Sequence, residues 1–174
     1  ALAVGDVYVS TQGTVGGEPG DILLDGAVNI EGADHVLTFD VAGDWFDVPG
    51  ITTTGSLNVA GAGATARLSA DITVAGFGFA IPVQLLADVD VEATVGPARF
   101  EQNIDGAHAL SITTPLELTL GETDAIEVGG TDALVSLELT GPARVNGSIT
   151  TSGAQTYAGS VEIARDGSFA TFAS

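Results

Sequence analysis

Apolar and polar residues alternate along most of this chain, in short runs broken by glycine, proline and aspartate. The pattern is plain in Val7-Tyr8-Val9-Ser10, in Val28-Asn29-Ile30-Glu31 and in Leu116-Glu117-Leu118-Thr119-Leu120. It returns across 36–41, 68–74, 83–95 and 135–139. Period-two alternation sends one set of side chains to a core and the other to water. The Val, Ile, Leu and Thr residues that fill these runs suit half-buried strands. No segment carries sustained i, i+3, i+4, i+7 apolar spacing with caps; Leu85-Leu86-Ala87 is the one ambiguous patch. The pattern therefore predicts an all-β protein. Its expected form is an antiparallel β-sandwich, jelly-roll-like, or a barrel, of about ten strands joined by Gly/Pro/Asp turns.

Turn chemistry supports short connections. Asp25-Gly26, Asp105-Gly106 and Asp166-Gly167 suit tight turns of type I′ or related form, and Glu18-Pro19-Gly20 reads as a turn before Ile22. Gly129-Gly130 separates two apolar runs, 125–128 and 133–139, and reads as a hairpin. The run Asp6 to Val15 is expected to be the first strand of its own sheet, with an exchanged strand as the alternative. No composition shift marks a boundary, so residues 1–174 read as a single all-β domain.

Several phrases echo one another. Gly26-Ala27-Val28-Asn29-Ile30 resembles Gly55-Ser56-Leu57-Asn58-Val59, and Ile51-Thr52-Thr53-Thr54-Gly55 resembles Ile149-Thr150-Thr151-Ser152-Gly153. Leu-Glu-Leu-Thr occurs at Leu116 and again at Leu137, and Gly-Pro-Ala-Arg at Gly96 and again at Gly141. A solenoid or propeller is recognised by a fixed period. The spacing differs from each echo to the next, so both folds are set aside and the echoes are read as chance recurrences in a small alphabet, with a duplicated hairpin unit within one sheet system as the alternative.

Charge narrows the partners. Four arginines and no lysine stand against 23 carboxylates, a formal charge of −19, while 45% of the residues are hydrophobic and the mean hydropathy is +0.38. Nucleic acid and anionic membrane surfaces need clustered bases, and Arg67, Arg99, Arg144 and Arg165 are scattered. Cations, salt-rich surroundings or a cationic partner fit instead. There is no cysteine for disulfide or thiolate chemistry. No apolar run reaches the roughly 18 residues that a spanning helix requires. The chain starts at Ala1, lacks methionine, and its Ala1-Leu2-Ala3 resembles the end of a signal-peptide site, which points to a secreted or cell-surface protein.

Candidate site residues are few. Asp88, Asp90 and Glu92 would share one face of a strand, roughly 7 Å apart, and are the candidates for calcium, the one cofactor considered. Solvation or pairing with Arg67 or Arg99 across a sheet would equally relieve their repulsion. Trp45 and Phe46 are consecutive, so a strand would bury one and present the other to a sheet edge, a ligand or a neighbouring subunit. Tyr8 is the third candidate for an interaction surface. Arg99 and Arg144, each after Gly-Pro-Ala, are expected to pair with neighbouring carboxylates. His35 and His108 lie in no nucleophile or zinc motif.

No catalytic motif is present, so the expected role is a non-catalytic extracellular structural or assembly subunit, such as a surface filament, surface layer or capsid-associated protein. It would partner itself as an oligomer or polymer, through β-edges and apolar contacts. The alternative is a lipid-handling or oligomeric pore-forming β protein, suggested by runs such as Ala75 to Leu86, which are apolar on both faces for several residues. A hydrolase with an unrecognised carboxylate pair is the third reading.

Overall fold

The computed structural model describes residues 6–11, 22–23, 28–30, 35–48, 50–164 and 168–171. They form 23 short strands and no helix. The all-β expectation holds. The antiparallel sandwich or barrel of about ten strands does not: every pairing between the strands is parallel, and each strand pairs with the third one along the chain. The result is a β-solenoid with three sheets of eight, eight and seven strands. Sheet I runs from Val7–Ser10 to Val161–Ile163, sheet II from Ile22–Leu23 to Ser168–Thr171, and sheet III from Val28–Ile30 to Gln155–Ala158.

One coil shows how the sequence makes this shape. Phe77–Phe79 lies in sheet I, Val83–Leu85 in sheet II and Val89–Ala93 in sheet III. Each side is only a few residues long, and small or breaking residues turn the chain between sides. Along these strands Phe77, Phe79, Val83, Leu85, Val89, Val91 and Ala93 point inward and are buried. Gly78, Gln84, Asp90 and Glu92 point outward. In the run Ala75 to Leu86 the outward positions hold Gly78, Ala80, Pro82, Gln84 and Leu86, so its outer face is mostly small or apolar, with Leu86 45% exposed.

Stacked coils share one continuous apolar core, from Ile22 and Leu37 to Val145 and Ile149. Phe79 and Phe100 stack at 5.2 Å between ring centroids, 9° apart, with Phe77 against Phe100 at 5.1 Å; Phe39 meets Phe46 at 4.5 Å. Backbone bonds carry the ladders round the corners, as where Leu86 N–H donates to Leu68 C=O and Val95 N–H to Ala75 C=O. Where a ladder starts, an Asx side chain often takes the place of a carbonyl. Asp6, Asp71, Asp88 and Asn103 use Oδ1 to accept the N–H of Val36, Asp90, Ala109 and Glu127 in the next coil, at 2.8–2.9 Å.

Several expectations about connections change. Gly129-Gly130 is a corner, because Ile126–Val128 belongs to sheet II and Ser136–Thr140 to sheet III. Asp105-Gly106 likewise ends a side of a coil. Asp25-Gly26, Asp166-Gly167 and Glu18-Pro19-Gly20 lie outside the described residues. Val7–Ser10 does join its own sheet, beside Val36–Val41; residues 12–15 lie outside the described part.

The rejected repeat is real but uneven. Leu57 pairs with Phe77, Phe77 with Ala98, Ala66 with Val83, and Val7 with Leu37, and no two of these steps along the chain are equal. Of the echoes in the sequence, Gly-Pro-Ala-Arg marks stacked positions, since Ala98 pairs with Leu118 and Leu118 with Ala143. The Ile-Thr-Thr echo is a corner device. Thr53 Oγ1 accepts Gly55 N–H at 3.0 Å between sheets III and I, whereas Thr151 Oγ1 donates to Gly153 C=O at 2.7 Å between sheets II and III.

Candidate functional site

Apolar side chains fill the interior of the described coils, and the candidate residues lie on the outer faces and corners. On sheet III, Asp90 and Glu92 point outward from Val89–Ala93 and are exposed, while Asp88 precedes the strand. Asp88 and Asp90, but not Glu92, border a shallow groove of about 420 Å³ that also touches Asp71, Ser111, Ser136 and Glu138. The three candidates do not converge. Asp88 Oδ1 accepts the Ala109 N–H at 2.9 Å and lies 3.6 Å from His108 Nδ1. Among the described residues no three His, Cys, Asp or Glu side chains gather as a metal site.

Neither expected arginine faces them. Arg67 is on sheet II, in a two-pronged contact with Asp47, and Arg99 is on sheet I, 2.9 Å from Glu122. Arg144 pairs with Glu162 at 3.7 Å. The acids are managed by register instead. Asp90 stacks on Ser111, and Ser111 on Glu138; Glu92 lies between Thr73 and Thr113; Glu138 is followed by Thr156. Parallel neighbours are about 4.8 Å apart, so a hydroxyl between two carboxylates separates them by two rungs. A direct test is Ser111→Asp, which puts a carboxylate against both Asp90 and Glu138. It should lower stability by roughly 0.5–2 kcal/mol, as read from urea midpoints, with the loss shrinking at high salt. Ser111→Arg should shift the midpoint the other way.

On sheet II the Trp45-Phe46 pair divides as its strand requires: Phe46 is fully buried and Trp45 is 43% exposed. The Arg67 guanidinium sits 5.1 Å from the Trp45 ring centroid. Along the same face Thr65, Pro82, Gln84 and Asp105 line a groove of about 270 Å³, overhung by Thr131 and Asp132. Asp105 Oδ1 holds that overhang by accepting Thr131 N–H at 2.8 Å. The sequence offered no sign of this corner, because the two partners are far apart along the chain.

Sheet I carries a larger groove, about 540 Å³, where outward Gly78 lies between Asn58 and Arg99 in register. Tyr8 projects from the first strand of this sheet, 64% exposed, and donates its hydroxyl to Asp40 Oδ2 at 2.7 Å. That bond to a carboxylate, with a smaller effect of burial, raises the Tyr8 pKa.

Tyr157 differs. It points inward from Gln155–Ala158, is half-buried against the core, and donates to Gln155 Oε1 at 2.7 Å. Burial pushes its pKa up to about 12, from an ordinary 10.0. The folded protein then holds this proton after the unfolded chain has released it. Stability from Tyr157 is present below pH 10 and is lost between pH 10 and 12. Tyr157→Phe should flatten the alkaline limb of a stability–pH curve, and phenolate absorbance should show one group titrating near pH 12.

The two histidines occupy different corners, His35 facing Asp6 at 3.9 Å and His108 facing Asp88. The chain matches no protein-family model, no curated protein and no solved structure.

Proposed function

We propose that this chain is a non-catalytic structural module of a secreted or cell-surface assembly, with further copies of itself as its partner. One observation carries the reading: the described strands stack in register as parallel ladders, a scaffold that extends by the addition of further rungs. Strand edges offer rows of backbone donors and acceptors to another chain. A solid core supports the same reading, since Phe39, Phe46, Phe79 and Phe100 fill the space that a lipid-handling protein would keep open. The outer acids keep an apolar protein soluble and set the terms of contact. Copies carrying −19 each repel one another, and this repulsion acts over about 30 Å at 0.01 M salt but about 8 Å at 0.15 M.

Light scattering across dilution and salt tests the proposal. The weight-average mass should rise above the 17.3 kDa of one chain as concentration increases, and further as salt is added. Negative-stain images should show rods. A species that stays monomeric at every concentration and salt level would end this reading.

A further inference from the structure

The one tryptophan of this chain is 43% exposed, on the outer face of sheet II. Two ladder pairs hold it there: Trp45 lies beside Thr65 in register, and Asp47 beside Arg67. The Arg67 guanidinium, gripped by both oxygens of Asp47, rests against the Trp45 ring. The ring is therefore fixed in place in advance of any ligand. Both rows continue into the groove of about 270 Å³. Pro82 follows Thr65, since Ala66 N–H donates to Pro82 C=O; Gln84 follows Arg67, and Asp105 follows Gln84. Pro82 and Gln84 are exposed, as are Thr131 and Asp132 in the overhang. Asp105 Oδ1 accepts Thr131 N–H at 2.8 Å and Asp132 N–H at 3.3 Å, which pins that overhang beside the groove.

We propose that this face of sheet II binds a neutral oligosaccharide, laid along the row Trp45, Thr65 and Pro82. The site goes beyond the assembly role and does not depend on it. The chemistry of the lining selects the ligand. A sugar ring has a C–H face that packs on an aromatic or proline ring, and a rim of hydroxyls that need partners. Trp45 and Pro82 stand two rungs apart, roughly 10 Å, the reach of two linked sugar rings. Beside that row, the Asp105 and Asp132 carboxylates accept from hydroxyls, and the Gln84 amide both accepts and donates. Charge sets the other ligand classes aside. No arginine lines the groove and Arg67 is engaged by Asp47, so an anion would meet Asp105 and Asp132 with nothing to balance them. A cation would share the Trp45 ring with a guanidinium already 5.1 Å from its centroid. A neutral polyol meets neither cost.

A single tryptophan makes binding directly readable by intrinsic fluorescence. The neutral probes are cellohexaose, maltohexaose, mannohexaose and chitohexaose; oligogalacturonate and hexalysine are the anionic and cationic ones. At least one neutral hexasaccharide should shift the emission saturably, and neither charged probe should. Asp132→Ala, at an exposed corner, keeps the fluorophore and should weaken that binding roughly two- to tenfold. Trp45→Ala, read by titration calorimetry, should weaken it by at least about tenfold, with the urea midpoint checking that the coil stays folded. No response to any of the neutral sugars overturns the proposal, and so does unchanged affinity in Trp45→Ala. A stronger response to hexalysine or oligogalacturonate overturns it as well. An emission shift on raising protein concentration alone, with no sugar present, shows that a second copy covers Trp45 and removes the site.

Discussion

Phe79→Ala is expected to produce the largest loss of stability among single core substitutions, about 3–5 kcal/mol. Phe79 is fully buried in the middle of the stack. Its ring stacks on Phe100 in the next coil and meets Phe77 edge-on at 6.0 Å. Removing it takes away the transfer energy of the ring and leaves a void. The coils above and below are held apart by their own ladders and can close that void only in part. At this chain length the loss corresponds to a fall in thermal midpoint of roughly 6–20 °C. Each coil of a solenoid touches only its neighbours, so the damage should also be local. Hydrogen exchange should accelerate first at the amides of 57–59 and 98–100, which pair with Phe77–Phe79. Ile163→Ala, at a half-exposed position in the last described strand of sheet I, should change the stability of the monomer by less than about 1 kcal/mol. Equal losses at both positions would contradict a core that is densest at its centre.

Gly147→Ala should be nearly as damaging, roughly 3–5 kcal/mol, for a different reason. Gly147 opens a strand of sheet II at φ +142°, where L residues are strained. An added Cβ would collide with the Ile126 carbonyl oxygen and approach Ile126 N to 2.7 Å. Ile126 is the register partner of Gly147, so relief requires moving one coil off the next and breaking the ladder there. Gly63→Ala separates the two effects. Gly63 also has positive φ, +86°, but a Cβ there meets nothing within 4 Å. It should lose only the backbone term, about 1 kcal/mol. Urea midpoints for the two variants measure the steric part by difference, and similar midpoints would refute close coil-to-coil contact at Gly147.

How much of this could be read from the residues depends on how local each property is. Alternation correctly separated Phe46 from Trp45, and Val89, Val91 and Ala93 from Asp90 and Glu92. The pairing of Arg99 and Arg144 with carboxylates was also legible, although their partners Glu122 and Glu162 were not. The hairpin at Gly129-Gly130 misled because a glycine pair marks a reversal of strands and a corner of a coil equally well. Calcium at Asp88, Asp90 and Glu92 rested on spacing along a strand. What governs those acids is the neighbour across the ladder, Ser111 for Asp90 and Thr113 for Glu92, a whole coil further along the chain.

By itself the sequence determined which side chains turn inward, where the chain bends, and that no helix interrupts the described strands. These follow from the two-residue period and from Gly, Pro and Asx chemistry, which act over short stretches of chain. Only the tertiary structure decided that the strands are parallel, that they form three sheets, and which residue stacks on which. A parallel ladder usually has both faces covered and so lacks a clean alternation. In a solenoid, however, the other two sides of each coil serve as the crossover. One face then meets the common core and the other meets water, and the pattern matches that of an antiparallel sheet. The step from one coil to the next is as short as Ala66 to Val83 and as long as Val7 to Leu37, so no fixed period survived to tell the two folds apart.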